Sequence, residues 1–257
     1  MKYYKPDSLL TINNAKTIKS LKKGITTYIL YMSPHRQNSK GISICPMATT
    51  GCIKACLYGS GHGSMSTVQR GRTNKTEFFI ADRAKFMETL FVEISMIQLK
   101  HKLEKSKFVI RLNGTSDISW ESFRFKEGKN IFELFPRVFF YDYTKNFTRF
   151  DKFLPKNYRL IFSRSETNEE KAFELLKKGI NVAMVFDFPP ASYNGYKVIN
   201  GDVNDLRHLD PYGVIVGLKY KNLTGAGVDN KAAFENGFAI RTSPLSLIIN
   251  KPMKKAA

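Results

Sequence analysis

Residues 107–117 read KFVIRLNGTSD. Within the first six, Phe108-Val109-Ile110 is an unbroken apolar run rather than an alternation with polar residues. A strand built from such a run is covered on both faces, which is the habit of parallel sheets layered with helices. Asn113-Gly114 then ends the strand with ordinary turn chemistry. The same reading extends outward. TTYILYM (26–32) precedes it, and RVFFY (137–141), YRLIF (158–162), NVAMVF (181–186) and VIVGL (214–218) follow. Lys197–Asn200 reads as a short or edge strand, and Phe238–Arg241 as a further one. Helical patterns separate them. The longest, residues 74–103, sets Phe79, Phe86, Leu90, Ile94 and Ile97 at spacings of three, four and seven. A short helix at Ile131–Phe135 stops at Pro136. Thr167 and Glu170 form a capping box for a helix that runs to Lys178 and closes at Gly179. Five or six alternating strand–helix units predict one α/β domain over residues 1–257, a TIM-like barrel or partial barrel. A doubly wound open sheet is the alternative.

Chemistry in such a barrel sits at the C-terminal strand ends. These ends are polar: Ser33-Pro34-His35, then Asn113 to Asp117, Asp142 to Asn146, and Ser163 to Glu166. Arg111, Asn113, Thr115, Ser116, Asp117, Asn146, Ser163 and Arg164 are the candidate ligand contacts. Each has a structural alternative. A turn explains Asn113 without a ligand, and Arg111, on a buried strand, must be paired whether or not it serves a site.

A long loop, Ser33–Ser66, follows the first of these strands and holds all three cysteines: Cys45, Cys52 and Cys56. An odd number argues against a closed disulfide framework. The spacing C-x6-C-x3-C leaves three readings open: buried structural thiols, a Cys3His zinc site completed by His62, or a cluster. Zinc modules pair ligands at tighter gaps than six residues. Three thiolates with no fourth cysteine suit a 4Fe–4S cluster with one open iron. Arg72, Lys75 and Thr76, after the loop, are either an anion clamp or a solvated basic helix start. Asp202, Asp205 and Arg207 read as an ion-paired loop, and Trp120 as a core residue.

The chain has 257 residues, with 41 Lys plus Arg against 22 Asp plus Glu, so its net charge is +19. A polyanionic partner, most simply nucleic acid, fits this balance. No apolar run reaches the ~20 residues of a membrane span, and Met1–Pro6 is too polar to open a secretory signal. A soluble, cytoplasmic protein with no membrane partner is expected. No P-loop, dinucleotide-binding glycine pattern, His-Glu-x-x-His or nucleophile elbow is present, which argues against the common kinases, dehydrogenases, metalloproteases and serine hydrolases.

The stretches YMSPHRQNSKGISICPMATTGCIKACLYGSGHG (31–63), VQRGRTNKTEFF (68–79), FVIRLNGTSDISWE (108–121) and YKVINGDVNDLRHLDPYGVIVGLKYK (196–221) resemble the phage "gene product 88" domain family. That resemblance implies a phage-encoded chain acting in the host cytoplasm and a distant similarity to radical S-adenosylmethionine enzymes. It implies a partial (β/α)6 barrel, a 4Fe–4S cluster on Cys45, Cys52 and Cys56, S-adenosylmethionine on the open iron, and an external electron donor. The pattern departs from those enzymes in three ways. Their spacing is C-x3-C-x2-C, an aromatic residue stands where this chain has Ala55, and their Gly-Gly-Glu motif is absent. The substrate implied by the charge is nucleic acid or a nucleotide. The alternative is a metal-stabilised nucleic-acid-binding module without catalysis.

Overall fold

The computed structural model describes residues 4, 6–12, 15–223 and 229–242. In chain order the elements are β1 (Leu10–Thr11), α1 (Ala15–Leu21), β2 (Ile25–Leu30), α2 (Thr50–Lys54), α3 (Ser66–Ala81), α4 (Arg83–Leu103) and β3 (Lys107–Arg111). There follow α5 (Ile131–Leu134), β4 (Phe139–Thr144), β5 (Tyr158–Ser163), α6 (Glu169–Lys177) and β6 (Val182–Phe186). The chain continues with β7 (Ser192–Tyr193), β8 (Tyr196–Asn200), β9 (Ile215–Lys219), α7 (Ala232–Glu235) and β10 (Ala239–Ile240).

All ten strands join one mixed, mostly parallel sheet in the order β1-β2-β3-β4-β5-β6-β9-β8-β7, with β10 on β6. Only β1 and β7 are antiparallel to their neighbours. From β2 through β6 to β9 the parallel strands stand in chain order, without the reversal that defines a doubly wound sheet. The closed TIM barrel is not formed either, because the sheet remains open at β1 and β7. β10 pairs with Val185 and Phe186, beyond the point where β5 pairs with Val182 and Ala183. It therefore enters where β5 and β6 have parted.

Side chains alternate across the sheet as strand geometry requires. Val109, Tyr141, Ile161, Ala183 and Val216 form one buried layer, closed by Leu206. Their neighbours Ile110, Phe140, Leu160, Val182 and Ile215 face the opposite side. There Phe86, Leu90 and Ile94 of α4 and Ala172, Leu175 and Leu176 of α6 cover them. Trp120, fully buried, stacks on Phe86 at 6.2 Å within this core.

Two helix expectations are corrected. The helix predicted over 74–103 is two helices, broken at Asp82, whose side chain accepts from Lys85 N (2.9 Å) and caps the second. Apolar spacing continues through the break because both helices face the same sheet, so periodicity conceals the cap. The capping box at Thr167 does not form. Asn168 is the N-cap, and its side chain instead accepts from Ser165 N (2.7 Å) and donates to Ser163 O (3.2 Å). That amide holds the strand end rather than the helix start. Among the described residues no helix is long and apolar enough to cross a membrane.

Candidate ligand cavity at the C-terminal strand ends

A cavity of about 290 Å³ opens at the C-terminal ends of β3, β4, β5, β6 and β9. Cys45, Cys52 and Cys56 all line it. The cysteine loop is not structureless: α2 carries Cys52 in its middle, and two short 3-10 turns follow. Thr49 starts α2 by accepting from Cys52 N (3.2 Å). Glu166, three residues beyond β5, accepts from both Gly51 N (2.7 Å) and the Thr49 hydroxyl (2.9 Å). The Cys45 sulfur accepts from His35 N (3.3 Å) and contacts Thr115 O at 3.6 Å. Burial pushes the Cys45 thiol up to about 12 and also raises Cys56.

Among the described residues no group of three or more His, Cys, Asp or Glu side chains is set to hold a single metal ion. The expected metal centre is therefore not assembled as a one-ion site. His62 lies in the turn Gly61–Ser64 and is not in the cavity wall, so the Cys3His arrangement does not come together.

Of the eight predicted contacts, Arg111, Asn113, Thr115, Ser116, Asp117 and Ser163 line the cavity. Several spend their side chains on the fold. Asn113 Oδ1 accepts from Ser116 Oγ (2.8 Å), Ile118 N (3.0 Å) and Trp120 Nε1 (3.1 Å), while its Nδ2 donates to Ile118 O (2.9 Å). Thr115 Oγ1 donates to Met32 O (2.5 Å). Asp117 accepts from Lys145 N (2.8 Å) and Arg149 Nη1 (3.3 Å). Arg111 pairs with Asp205 at 3.4 Å and lies 4.7 Å over the Tyr143 ring. Burial opposes its charge, but Asp205 and the neighbouring tyrosines hold it protonated.

Asn146 and Arg164 are outside the wall and are corrected. Asn146 caps the turn Phe147–Asp151 by accepting from Thr148 N (3.1 Å). Arg164 turns away to bind the carbonyls of Gly237 and Phe238 and the Glu169 carboxylate (3.2 Å), anchoring the approach to β10. Strand-end position alone did not distinguish these directions. Lys75 is buried and donates to Leu9 O (2.7 Å), and Thr76 Oγ1 accepts from Ser33 N (2.8 Å), so neither clamps an anion. Arg72 lies over the rings of Tyr31 (5.0 Å) and Tyr58 (5.5 Å). Arg207 is buried, 3.1 Å from Asp210, while Asp202 and Asp205 of the same loop pair outside it, with Lys221 (3.4 Å) and Arg111 (3.4 Å).

Three wall residues that sequence reasoning did not select are Lys145, Tyr143 and Lys219. Lys145 Nζ donates to Ser163 Oγ (3.2 Å) and lies 5.9 Å from the Phe238 ring. Desolvation disfavours its charge, but Cys52 and Asp117 outweigh it and raise the lysine above its usual range. The signal was its place in the polar strand end 142–146. Glu166 carried no local signal, because its partners are 115 and 117 residues away.

Comparison with known proteins adds one match. No curated protein and no solved structure matches the chain. A family model described as gene product 88 matches residues 8–240, which includes every strand and the whole cysteine loop. The chain belongs to the phage gene product 88 family.

Proposed function

We propose that this protein is an iron–sulfur enzyme of the radical S-adenosylmethionine type, acting on nucleic acid or a nucleotide. One observation carries the reading. Three cysteines spread over twelve residues of loop line a single cavity at the C-terminal ends of parallel strands in chain order. A six-stranded partial barrel is the architecture this reading assigns to β2, β3, β4, β5, β6 and β9.

The donor set fits the group. Thiolates are the ligands of iron–sulfur clusters, and three of them leave one iron open. A cluster is bulkier than an ion, so its ligands stand around a volume rather than converging on a point. When bound, it supplies electron transfer to S-adenosylmethionine held at that iron, and an outside electron donor is required. The chain's own residues position the sulfurs. His35 N donates to Cys45 (3.3 Å), and Thr49 and Glu166 fix the helix that carries Cys52.

Purification without oxygen tests the reading. The expected product is brown, absorbs broadly near ~400 nm and carries about four irons per chain. A colourless protein with stoichiometric zinc overturns it.

The net charge of +19 favours a second reading, a metal-stabilised nucleic-acid-binding module without catalysis. That reading expects affinity for nucleic acid to fall by ~10³-fold or more between low and moderate salt if six or more phosphates are contacted. It also expects no cleavage of S-adenosylmethionine by the reduced protein. Release of 5′-deoxyadenosine separates the two.

A further inference from the structure

The carboxylates of the cavity wall are already spoken for. Asp117 is held by Arg149 (3.3 Å) and by Lys145 N (2.8 Å). Asp202 is held by Lys221 (3.4 Å) and by Lys219 N (2.7 Å). On the cationic side, Arg111 has Asp205 and Lys221 has Asp202. The ammonium groups of Lys145 and Lys219 are different. Every aspartate and glutamate of the chain lies among the described residues, and none forms an ion pair with either.

Lys145 is half-buried, with Ser163 Oγ and Cys52 as its polar neighbours. The reading above assigns that sulfur to iron. Lys219 is exposed at the mouth, its Nζ 4.4 Å over the Phe188 ring. Lys145 directly follows β4 and Lys219 ends β9, with β5 and β6 between these strands in the sheet. The wall between is apolar, formed by Val185, Leu218 and Phe238. Cys52 and Asp117 already favour the Lys145 charge, but no carboxylate pairs with it directly, so an anion entering the cavity meets a charged donor with no ion pair.

We propose that this cavity takes a phosphate-bearing ligand of the nucleotide class, with its phosphate on Lys145, its apolar body along Val185, Leu218 and Phe238, and Lys219 drawing it in at the mouth. A phosphate offers up to two charges and three acceptor oxygens, which suits two separate ammoniums better than a carboxylate does. The charge of +19 further concentrates multiply charged anions over singly charged ones. The inference rests on this cavity being the functional site. It does not require the cluster to be bound.

The test is calorimetric titration of the metal-free full chain in reductant. The probes are the four ribonucleoside monophosphates, their four parent nucleosides and inorganic phosphate. At least one monophosphate binds about tenfold or more tightly than its nucleoside and than inorganic phosphate. Lys145→Met lowers that affinity about tenfold, Lys145→Arg recovers most of it, and Lys219→Met lowers it about threefold. Lys177→Met, on α6 and outside the wall, leaves it unchanged. Melting temperatures of the variants within a few degrees of wild type show that folding is intact. The proposal is overturned by equal affinity for nucleoside and monophosphate, by inorganic phosphate matching every nucleotide, by no binding of any probe, or by unaltered binding to Lys145→Met. Iron content of anaerobically purified protein is measured separately. A failed titration therefore leaves the cluster reading standing, and a protein without iron that binds nucleotide leaves this one standing.

Discussion

Glu166 Oε1 accepts a hydrogen bond from Gly51 N at 2.7 Å across 115 residues of chain, and a Cβ on Gly51 would sit 2.7 Å from that same oxygen. The absence of a side chain at 51 is thus what allows the carboxylate to reach the start of the cysteine-bearing helix. Thr49 completes the link, donating to Glu166 and accepting from Cys52 N. Glu166→Ala leaves these donors without their acceptor and costs about 1–3 kcal/mol. Cys52 then alkylates faster in the metal-free protein, read by mass spectrometry after timed iodoacetamide treatment. Gly51→Ala gives the same signature with the carboxylate displaced. Unchanged Cys52 labelling in both variants would refute the coupling.

Replacing any one of Cys45, Cys52 or Cys56 with alanine leaves two thiols in the cavity. Iron in the anaerobic protein drops from about four per chain to under one, and the ~400 nm band goes with it. His62→Ala keeps both, because His62 is outside the wall. Iron retained by all three cysteine variants would remove these sulfurs from the ligand set.

Asn113 has a structural task that a fluorescence measurement reads directly. Its side chain makes four hydrogen bonds inside the strand-end turn, one of them from the indole of Trp120. Asn113→Ala strands those buried partners and destabilises the protein by about 2–4 kcal/mol. Trp120 is the single tryptophan, so its emission reports on this turn alone. A red shift together with a lower melting temperature is expected. A native spectrum and an unaltered melt would show that the network is dispensable.

Stability varies with pH through buried Asp142 and half-buried His208, which act in opposite directions. Burial lifts Asp142 to about 7, despite hydrogen bonds from Asn113 N (2.6 Å) and Tyr158 OH (3.0 Å) and the charges of Arg111 and Arg149. Its folded value lies above the unfolded one. Its contribution is therefore complete below about pH 4 and is lost as pH rises through about 7. His208 stacks on Phe139 at 5.9 Å, and burial with Arg159 and Arg207 lowers it to about 4. The unfolded chain takes up this proton first, so its contribution is present above about pH 6.5 and is lost as pH falls through about 4. Asp142→Asn removes the falling limb, and denaturant midpoints then rise from pH 4 to 6.5. Midpoints that still fall across that window in the variant would assign the limb to another group.

Much of the molecule was legible before folding. Apolar runs such as Phe108–Ile110 and Val182–Phe186 mark strands covered on both faces, and their spacing between helical patterns implies parallel order. The crowding of Cys45, Cys52 and Cys56 into one loop after such a strand also located the candidate site. These features are local: burial period and neighbouring residues are written along the chain. Direction is not. Asn146, Ser163 and Arg164 look alike as polar residues at strand ends, yet Ser163 lines the cavity while Asn146 caps a turn and Arg164 grips the carbonyls of Gly237 and Phe238. Whether the sheet closes, that Lys145 and Lys219 stand in the cavity wall without an ion pair, and that Glu166 docks on Gly51 were decided only in three dimensions. Strand register and helix packing bring together groups a hundred residues apart, and no spacing along the chain encodes those meetings.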